Sequence, residues 1–398
     1  MTERALSGVR VLDAGSLVAA PLACTFLAEF GAEVIKLEPP DGGDPLRRWG
    51  MERAGVGLMW KSVGRNKKCI TLNLRVPEGR ELLKGLVAKS DVLVVNFRPP
   101  TLKRWGLTYE ELAEVNPGLV MLHMTAFGDC GPYADRPGFG TLIEAMSGFA
   151  HITGEPGGPP TLPPFMLADG VAALAGAYSV MFALYHRDAK GGSGQLIDLA
   201  ILEPLVRLLE HMVVEYDHSG SVPTRPGNRW GVTVPRNAYR TKDGHWIAMS
   251  GSAPTVALRA LRAIGRSDLA EDPDYSDAQK RLERADQIDA LFAEWIEARS
   301  GDEVLDVFER EGVAAAPVYD VAGLMSDLHV KARGIFQRIQ DPEIGALTVQ
   351  APAPRLSGTP GEVAHLGRPL GADNEEIFRD VLQLRESTVE DLRAKGVL

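Results

Sequence analysis

Through the first 125 residues, short apolar runs alternate with amphipathic stretches. Residues 8–13 (GVRVLD) read as a buried strand, 21–30 (PLACTFLAEF) as a helix and 32–38 (AEVIKLE) as a second strand, together a βαβ unit. The same rhythm continues with 79–89 as helix, 91–97 (DVLVVNF) as strand, 109–115 as helix and 119–124 as strand. Strands alternating with helices predict an α/β fold built on a mostly parallel, doubly wound sheet. Residues 154–164 (GEPGGPPTLPP) are too rich in Gly and Pro to be anything but a loop. Beyond them, 171–186 is almost wholly apolar and predicts a helix buried on most sides.

From about residue 222 the texture changes. Residues 237–249 (NAYRTKDGHWIAM) predict a hairpin around Lys242-Asp243-Gly244, and amphipathic helices are expected at 286–299 and 302–311. The expected organisation is a large domain over 1–224, a smaller α+β domain over 225–325, and a return to the large domain over 326–398.

Composition narrows the classes. Of 398 residues, 45% are apolar and 24% charged, an ordinary globular profile. A net charge of −10 argues against a nucleic-acid partner but leaves room for an anionic ligand on a local basic patch. Cys24, Cys69 and Cys130 form no CxxC, and the eight histidines show no ligand spacing, so neither a disulfide framework nor a metal site is expected. No apolar run is expected to approach the roughly 20 residues that span a bilayer. The first residues lack a charged-then-apolar signal pattern. A cytoplasmic protein without a membrane partner is the expectation.

Three features carry candidate chemistry. The turn after the first strand (DAGSLVAAP, 13–21) lacks GxGxxG, which argues against dinucleotide binding although Glu38 ends the second strand. Lys61, Arg65, Lys67, Lys68, Arg98, Lys103 and Arg104 concentrate positive charge; they form either a solvated surface or a site for a multiply phosphorylated ligand. Asp169 precedes Gly170 and the long apolar helix. It is either a helix N-cap or a carboxylate held ionised among backbone N–H donors, and these residues alone leave both open.

Several segments resemble the class III CoA-transferases in order and at family-like spacing. They are GVRVLDAGSLVAAPLACTFLAEFGAEVIKLEPPDGGD, RNKKCITLNL, DVLVVNFRPPTLKRWGL, NPGLVMLHMTAFGDCGPYADRPGF, MLADGVAALAGAYSVMFALYHRDAKGGSGQLIDLAI, GVAAAPV and RPLGADN. The resemblance implies a Rossmann-like large domain, a smaller middle domain and an interlocked homodimer. It places Asp169 at the catalytic aspartate, and Leu17, Leu72, Asn73, Asn96, Phe97, Arg98 and Arg104 in segments that hold CoA. Acyl-CoA and a carboxylic acid would be the substrates, with no permanently bound cofactor.

The chemistry so implied starts with attack of Asp169 on a donor thioester, giving a mixed anhydride and CoA thiolate. Exchanging a thiol of pKa about 8.5 for a carboxylate of about 4 is uphill by on the order of 6 kcal/mol. Binding energy from the remainder of CoA has to offset it. Two alternatives stay open, an α-methylacyl-CoA racemase of the same fold and a CoA-binding protein without turnover. Racemases of this type use a histidine as second base in the segment matching Gly138-Phe139-Gly140, where this chain has Phe139. The chain departs from formyl-CoA transferase in having no glycine-rich loop near 228–239 and in having Pro39 in place of a basic residue. It also has Gly140 where many relatives are acidic. Arg225, Arg229 and Arg236 are candidates for binding a distal carboxylate of a dicarboxylic substrate.

Overall fold

A computed structural model describes residues 4–398. Six strands form one parallel sheet: β1 (Arg10–Asp13), β2 (Glu33–Glu38), β3 (Lys67–Thr71), β4 (Val92–Val95), β5 (Val120–Thr125) and β6 (Gln195–Ala200). Their spatial order is β3-β2-β1-β4-β5-β6, so the chain reverses direction across the sheet between β1 and β4. In a doubly wound sheet that reversal opens a crevice at the C-terminal strand ends, where ligands bind.

Side-chain alternation in the strands divides the core. Val11, Val34, Val92 and Val120 face one layer, whereas Leu12, Ile35, Leu93 and Met121 face the other. The first layer contains α1 (Ala19–Glu29) and α3 (Leu167–Lys190), which pack through alanines such as Ala20, Ala23, Ala172 and Ala173. Gly176 lets α3 lie close on β5: a methyl there would stand 2.8 Å from Met124 Cε and 2.9 Å from Leu122 Cδ2. In the second layer, Phe378, Val389, Leu392 and Leu398 bring the C-terminal segment onto the sheet.

Helix α3 corrects two expectations. It runs 24 residues and is long and apolar enough, by length and composition, to cross a membrane. It is also not buried on most sides. Ala168, Ala172, Ala175, Gly176, Val180 and Ala183 face the core, while Leu174 and Phe182, on the other side, are 58% and 67% exposed. The sequence pattern over 171–186 leaves out the first turn, where Leu167 and Ala168 extend the apolar stretch, and the charged last turn, where Arg187, Asp188 and Lys190 close the helix.

The described residues divide into two compact units. One comprises residues 4–149, 162–220 and 333–398; the other comprises 150–161 and 221–332. The second unit holds an antiparallel sheet of Arg236–Arg240, Trp246–Ser250 and Ala315–Pro317, with Ile247 opposite Tyr239 and Pro317. Helices Ala285–Glu297 and Gly301–Arg310 cover it through Phe292, Ile296, Val304 and Phe308.

Candidate active site

The loops that follow β1 and β4 are fastened to each other. Asn96 donates to Ser16 O at 2.8 Å and accepts from Ser16 N at 2.9 Å. Leu17 has φ of 64°, a left-handed conformation uncommon for a residue with a branched side chain. It persists because Leu17 N donates to both Asp44 oxygens, at 3.1 and 3.2 Å. Beneath the loop, Lys36 is fully buried, 3.1 Å from Asp44 and 3.6 Å from Asp13, and donates to Gly15 O. Burial alone would pull its pKa down, but the Asp13, Asp44 and Glu38 carboxylates hold it above the usual lysine range.

Two cavities open at this crevice, and Ser16 lines both. The first, about 340 Å³, is lined by Leu72, Asn73, Arg75, Phe97 and Trp105 among others. Phe97 and Trp105 meet edge to face at 5.1 Å. Asn73 is held by the C-terminal segment, through its N–H to Val397 O at 2.8 Å. The second cavity, about 270 Å³, is lined by Leu17, Asn96, Arg98, Arg136, Phe139 and Asp169 among others.

Asp169 is the third residue of α3, and Met166 holds the N-cap position, so the simple capping role does not apply. Instead Glu144, from α2 (Gly140–Met146), accepts from Ala168 N at 3.1 Å. Burial, and second the Glu144 carboxylate, push the Asp169 pKa up to about 6. The expected stabilisation of the anion by the helix start is therefore outweighed. Glu144 was not singled out in the sequence, because its 24-residue separation from Ala168 carries no periodic signal. Among the described residues lining this cavity, Asp169 is the one carboxylate and there is no histidine.

Residues 6–374 match the family model described as CoA-transferase family III. This chain belongs to CoA-transferase family III. Succinyl-CoA–D-citramalate CoA-transferase of Chloroflexus aurantiacus is 42% identical over 396 residues, covering 99% of this chain and 98% of that protein. Human succinyl-CoA:glutarate CoA-transferase is 30% identical over 394 residues, covering 99% and 90%. The crystal structure of a CAIB/BAIF family protein from Brucella suis matches with a TM-score of 0.82 at 30% identity, covering 96% of this chain and 100% of that one.

For a family III CoA-transferase the basic cluster needs correcting. Lys61 lies 2.9 Å from Asp341 and 2.5 Å from Glu343, and Lys67 lies 2.8 Å from Asp13. Lys68 lies 2.5 Å from Glu33 and 2.6 Å from Glu376, and Arg65 pairs with Glu29. These four are committed to internal pairs, several with partners about 300 residues away. Lys103 and Arg104 are exposed on the helix Pro99–Trp105 and line neither cavity. Of the transferase's proposed CoA segments, the crevice brings together Leu17, Leu72, Asn73, Asn96, Phe97 and Arg98, and leaves Arg104 outside. His123 secures that arrangement: its Nε2 is 2.6 Å from Phe97 O, and its Nδ1 2.7 Å from Asp129.

In the second unit, Arg225 donates to Gly158 O and His151 O, at 2.9 and 2.8 Å. Arg229 pairs with Asp286 and Asp289, at 2.6 and 2.5 Å. Arg236 lines a separate cavity of about 800 Å³ with Trp246, Ala248 and Val318.

Proposed function

We propose that this chain transfers CoA from succinyl-CoA to a dicarboxylic acid through covalent intermediates on Asp169. The observation that carries the reading is a carboxylate whose pKa of about 6 leaves it mostly ionised at neutral pH, lining a cavity that shares Ser16 with a neighbouring one of about 340 Å³. The substrate class follows the relatives, named for succinyl-CoA together with citramalate, malate, glutarate or mesaconate.

The nucleotide end of CoA would rest against Leu72, Asn73, Arg75 and the Phe97–Trp105 pair, and the thioester would enter between Leu17, Asn96 and Asp169. Asp169 attacks the thioester carbonyl; the C–S bond breaks and the thiolate leaves. The thiolate attacks the aspartyl carbonyl of the anhydride, releasing the donor acid and leaving CoA on Asp169 as a thioester. The acceptor carboxylate attacks that thioester and frees the thiolate again. The thiolate then takes the acceptor acyl group and restores Asp169. Desolvation favours the first attack, because a carboxylate stripped of water and raised in pKa is the better nucleophile.

A second copy of the chain is proposed to cover the outer face of α3. Leu174, Tyr178, Phe182 and Tyr185 form an exposed apolar stripe along this helix, and such a stripe on a charged protein marks an association surface.

The test is to incubate the protein with succinyl-CoA and a panel of dicarboxylic acids, and to follow both the new thioesters and the protein mass. Wild type should form a new acyl-CoA and carry an adduct of CoA minus water on Asp169. Asp169→Ala should do neither. An active Asp169→Ala, or racemisation of a chiral 2-methylacyl-CoA without any acyl exchange, would overturn the proposal.

A further inference from the structure

We infer that Arg136 holds the distal carboxylate of the dicarboxylic acyl group while its other end reacts at Asp169. The inference rests on the transferase reading above and names its specificity determinant. A dicarboxylic substrate brings a second negative charge into a cavity that already contains Asp169, with the Glu144 carboxylate acting on it. Without a cation facing that charge, like-charge repulsion and desolvation would reject the substrate.

Two arginines line the cavity, Arg98 and Arg136. Arg98 donates Nη1 to Asp135 O at 3.3 Å and adjoins Asn96 and Phe97, the residues proposed to hold CoA. Arg136 is free for another task. Its guanidinium carbon lies 3.8 Å from the centre of the Tyr133 ring, and among the described residues it has no ion pair. Packing one flat face against an aromatic ring fixes the plane of the guanidinium and leaves its N–H edge open, the edge that engages a carboxylate bidentately. Tyr133 is in turn braced edge to face by Phe127 at 5.7 Å. The remaining arginine candidates belong to the second unit. Arg225 and Arg229 are bonded within the second unit, and Arg236 lines that unit's own cavity.

The experiment uses degenerate exchange, which needs no knowledge of the natural acceptor. Exchange of ¹³C-succinate into succinyl-CoA is compared with exchange of ¹³C-butyrate into butyryl-CoA, which has the same chain length but no distal carboxylate. Arg136→Gln should lower kcat/KM for succinyl exchange on the order of 100-fold and leave butyryl exchange within about 3-fold, as expected for losing one partner of a charged pair. Arg136→Lys should fall between wild type and Arg136→Gln, and added guanidinium should restore part of the succinyl exchange in Arg136→Gln. An equal rise in KM for both CoA esters would overturn the inference and assign Arg136 to CoA itself. So would unchanged kinetics, or a succinyl-specific loss in Arg236→Gln instead. Wild type that exchanges butyrate but not succinate would refute the dicarboxylate reading, and with it the role of Arg136. Wild type that exchanges neither would refute the transferase reading beneath both.

Discussion

The carboxyl group of Asp169 rests against the α-carbon of Gly140, so closely that a methyl built there would overlap Oδ2 and stand 3.0 Å from Cγ. Gly140 begins α2 with an ordinary backbone conformation, so what it supplies is space, not an unusual turn. Gly140→Ala should therefore rotate or displace the reacting carboxylate while adding a residue that favours a helix. The expected outcome is a fall in kcat of about 100-fold, the scale of misplacing a reacting group by an ångström. The melting temperature should not drop. Unchanged kcat would mean that the carboxylate reacts from another orientation.

Because burial and Glu144 raise the Asp169 pKa to about 6, the free enzyme should lose its nucleophile as pH falls through that value. The kcat/KM for acyl-CoA should drop tenfold per pH unit below about 6 and level off above it. A phosphate monoester also titrates near 6, so the substrate itself gives a confounding midpoint. Glu144→Gln separates the two, since it keeps an oxygen for Ala168 N but removes the neighbouring charge. The midpoint should move down in this variant if Asp169 sets it, and stay put if the substrate does.

The same shift bears on stability. A carboxyl whose folded pKa is above its unfolded value of 3.8 binds more protons folded than unfolded between those two values. Stability should thus decline as pH rises from about 4 through about 6 and remain lowered above. Asp169→Asn removes the ionised, desolvated group, so it should raise the melting temperature at pH 8 but not at pH 4. The gain is at most about 3 kcal/mol, and less in practice because the group is partly exposed. Equal effects at both pH values would locate the change in packing instead.

What could be read in the sequence follows from range. Strands β1, β2, β4 and β5 are short apolar runs, and their alternation reports a local property, so they stood out. Strand β3 did not, because Lys67 and Lys68 open it with two charges. Their partners Asp13, Glu33 and Glu376 come from other parts of the chain, and only the fold shows that these lysines are neutralised inside it. Asp169 could be located through the resemblance, and Gly140 stood out as a departure from it, but nothing local showed that the two touch. Glu144 and Arg136, which tertiary packing brings to Asp169 and to its cavity, carried no signal. The seven basic residues looked like one patch because they are close in sequence, whereas the structure separates them into internal pairs, an exposed helix and the cavity.

Lys36 should be among the least tolerant positions. Its ammonium is buried beside Asp13 and Asp44 and helps hold the Gly15 carbonyl beneath the crevice. Lys67 still faces Asp13 and Arg47 still faces Glu38 if Lys36 is lost, but Asp44 is left without a cation. Lys36→Met should cost about 3–5 kcal/mol of unfolding free energy, the cost of stranding a buried charge. Lys36→Met combined with Asp44→Asn should recover part of it in chemical denaturation. It should not recover acyl-CoA affinity, because the Gly15 carbonyl beneath the crevice still lacks the Lys36 ammonium, while the amide of Asp44→Asn would keep only one oxygen for the Leu17 N–H. A double variant no more stable than the single would show that Asp44 is not the stranded partner.

The outer face of α3 gives the last prediction. Leu174, Tyr178, Phe182 and Tyr185 recur at helical spacing and stay exposed, while the opposite face packs against α1 through small residues. A helix with this composition has two ways to hide the stripe, a membrane or another protein surface. The flanking chain favours protein. Arg187, Asp188 and Lys190 follow the stripe directly, and the buried face is already committed to the α/β core. Placing a charge in the middle of the stripe should then break an association. Leu174→Glu with Phe182→Glu should shift sedimentation from a dimer to a monomer at micromolar protein while the far-ultraviolet circular dichroism is retained. The Asp169 cavity lies at the N-terminal end of the same helix, so exchange activity should fall along with the dimer if the second copy also steadies that end. Wild type that sediments as a monomer would leave the stripe without its proposed occupant, and binding to lipid vesicles by wild type but not the double variant would assign it to a membrane.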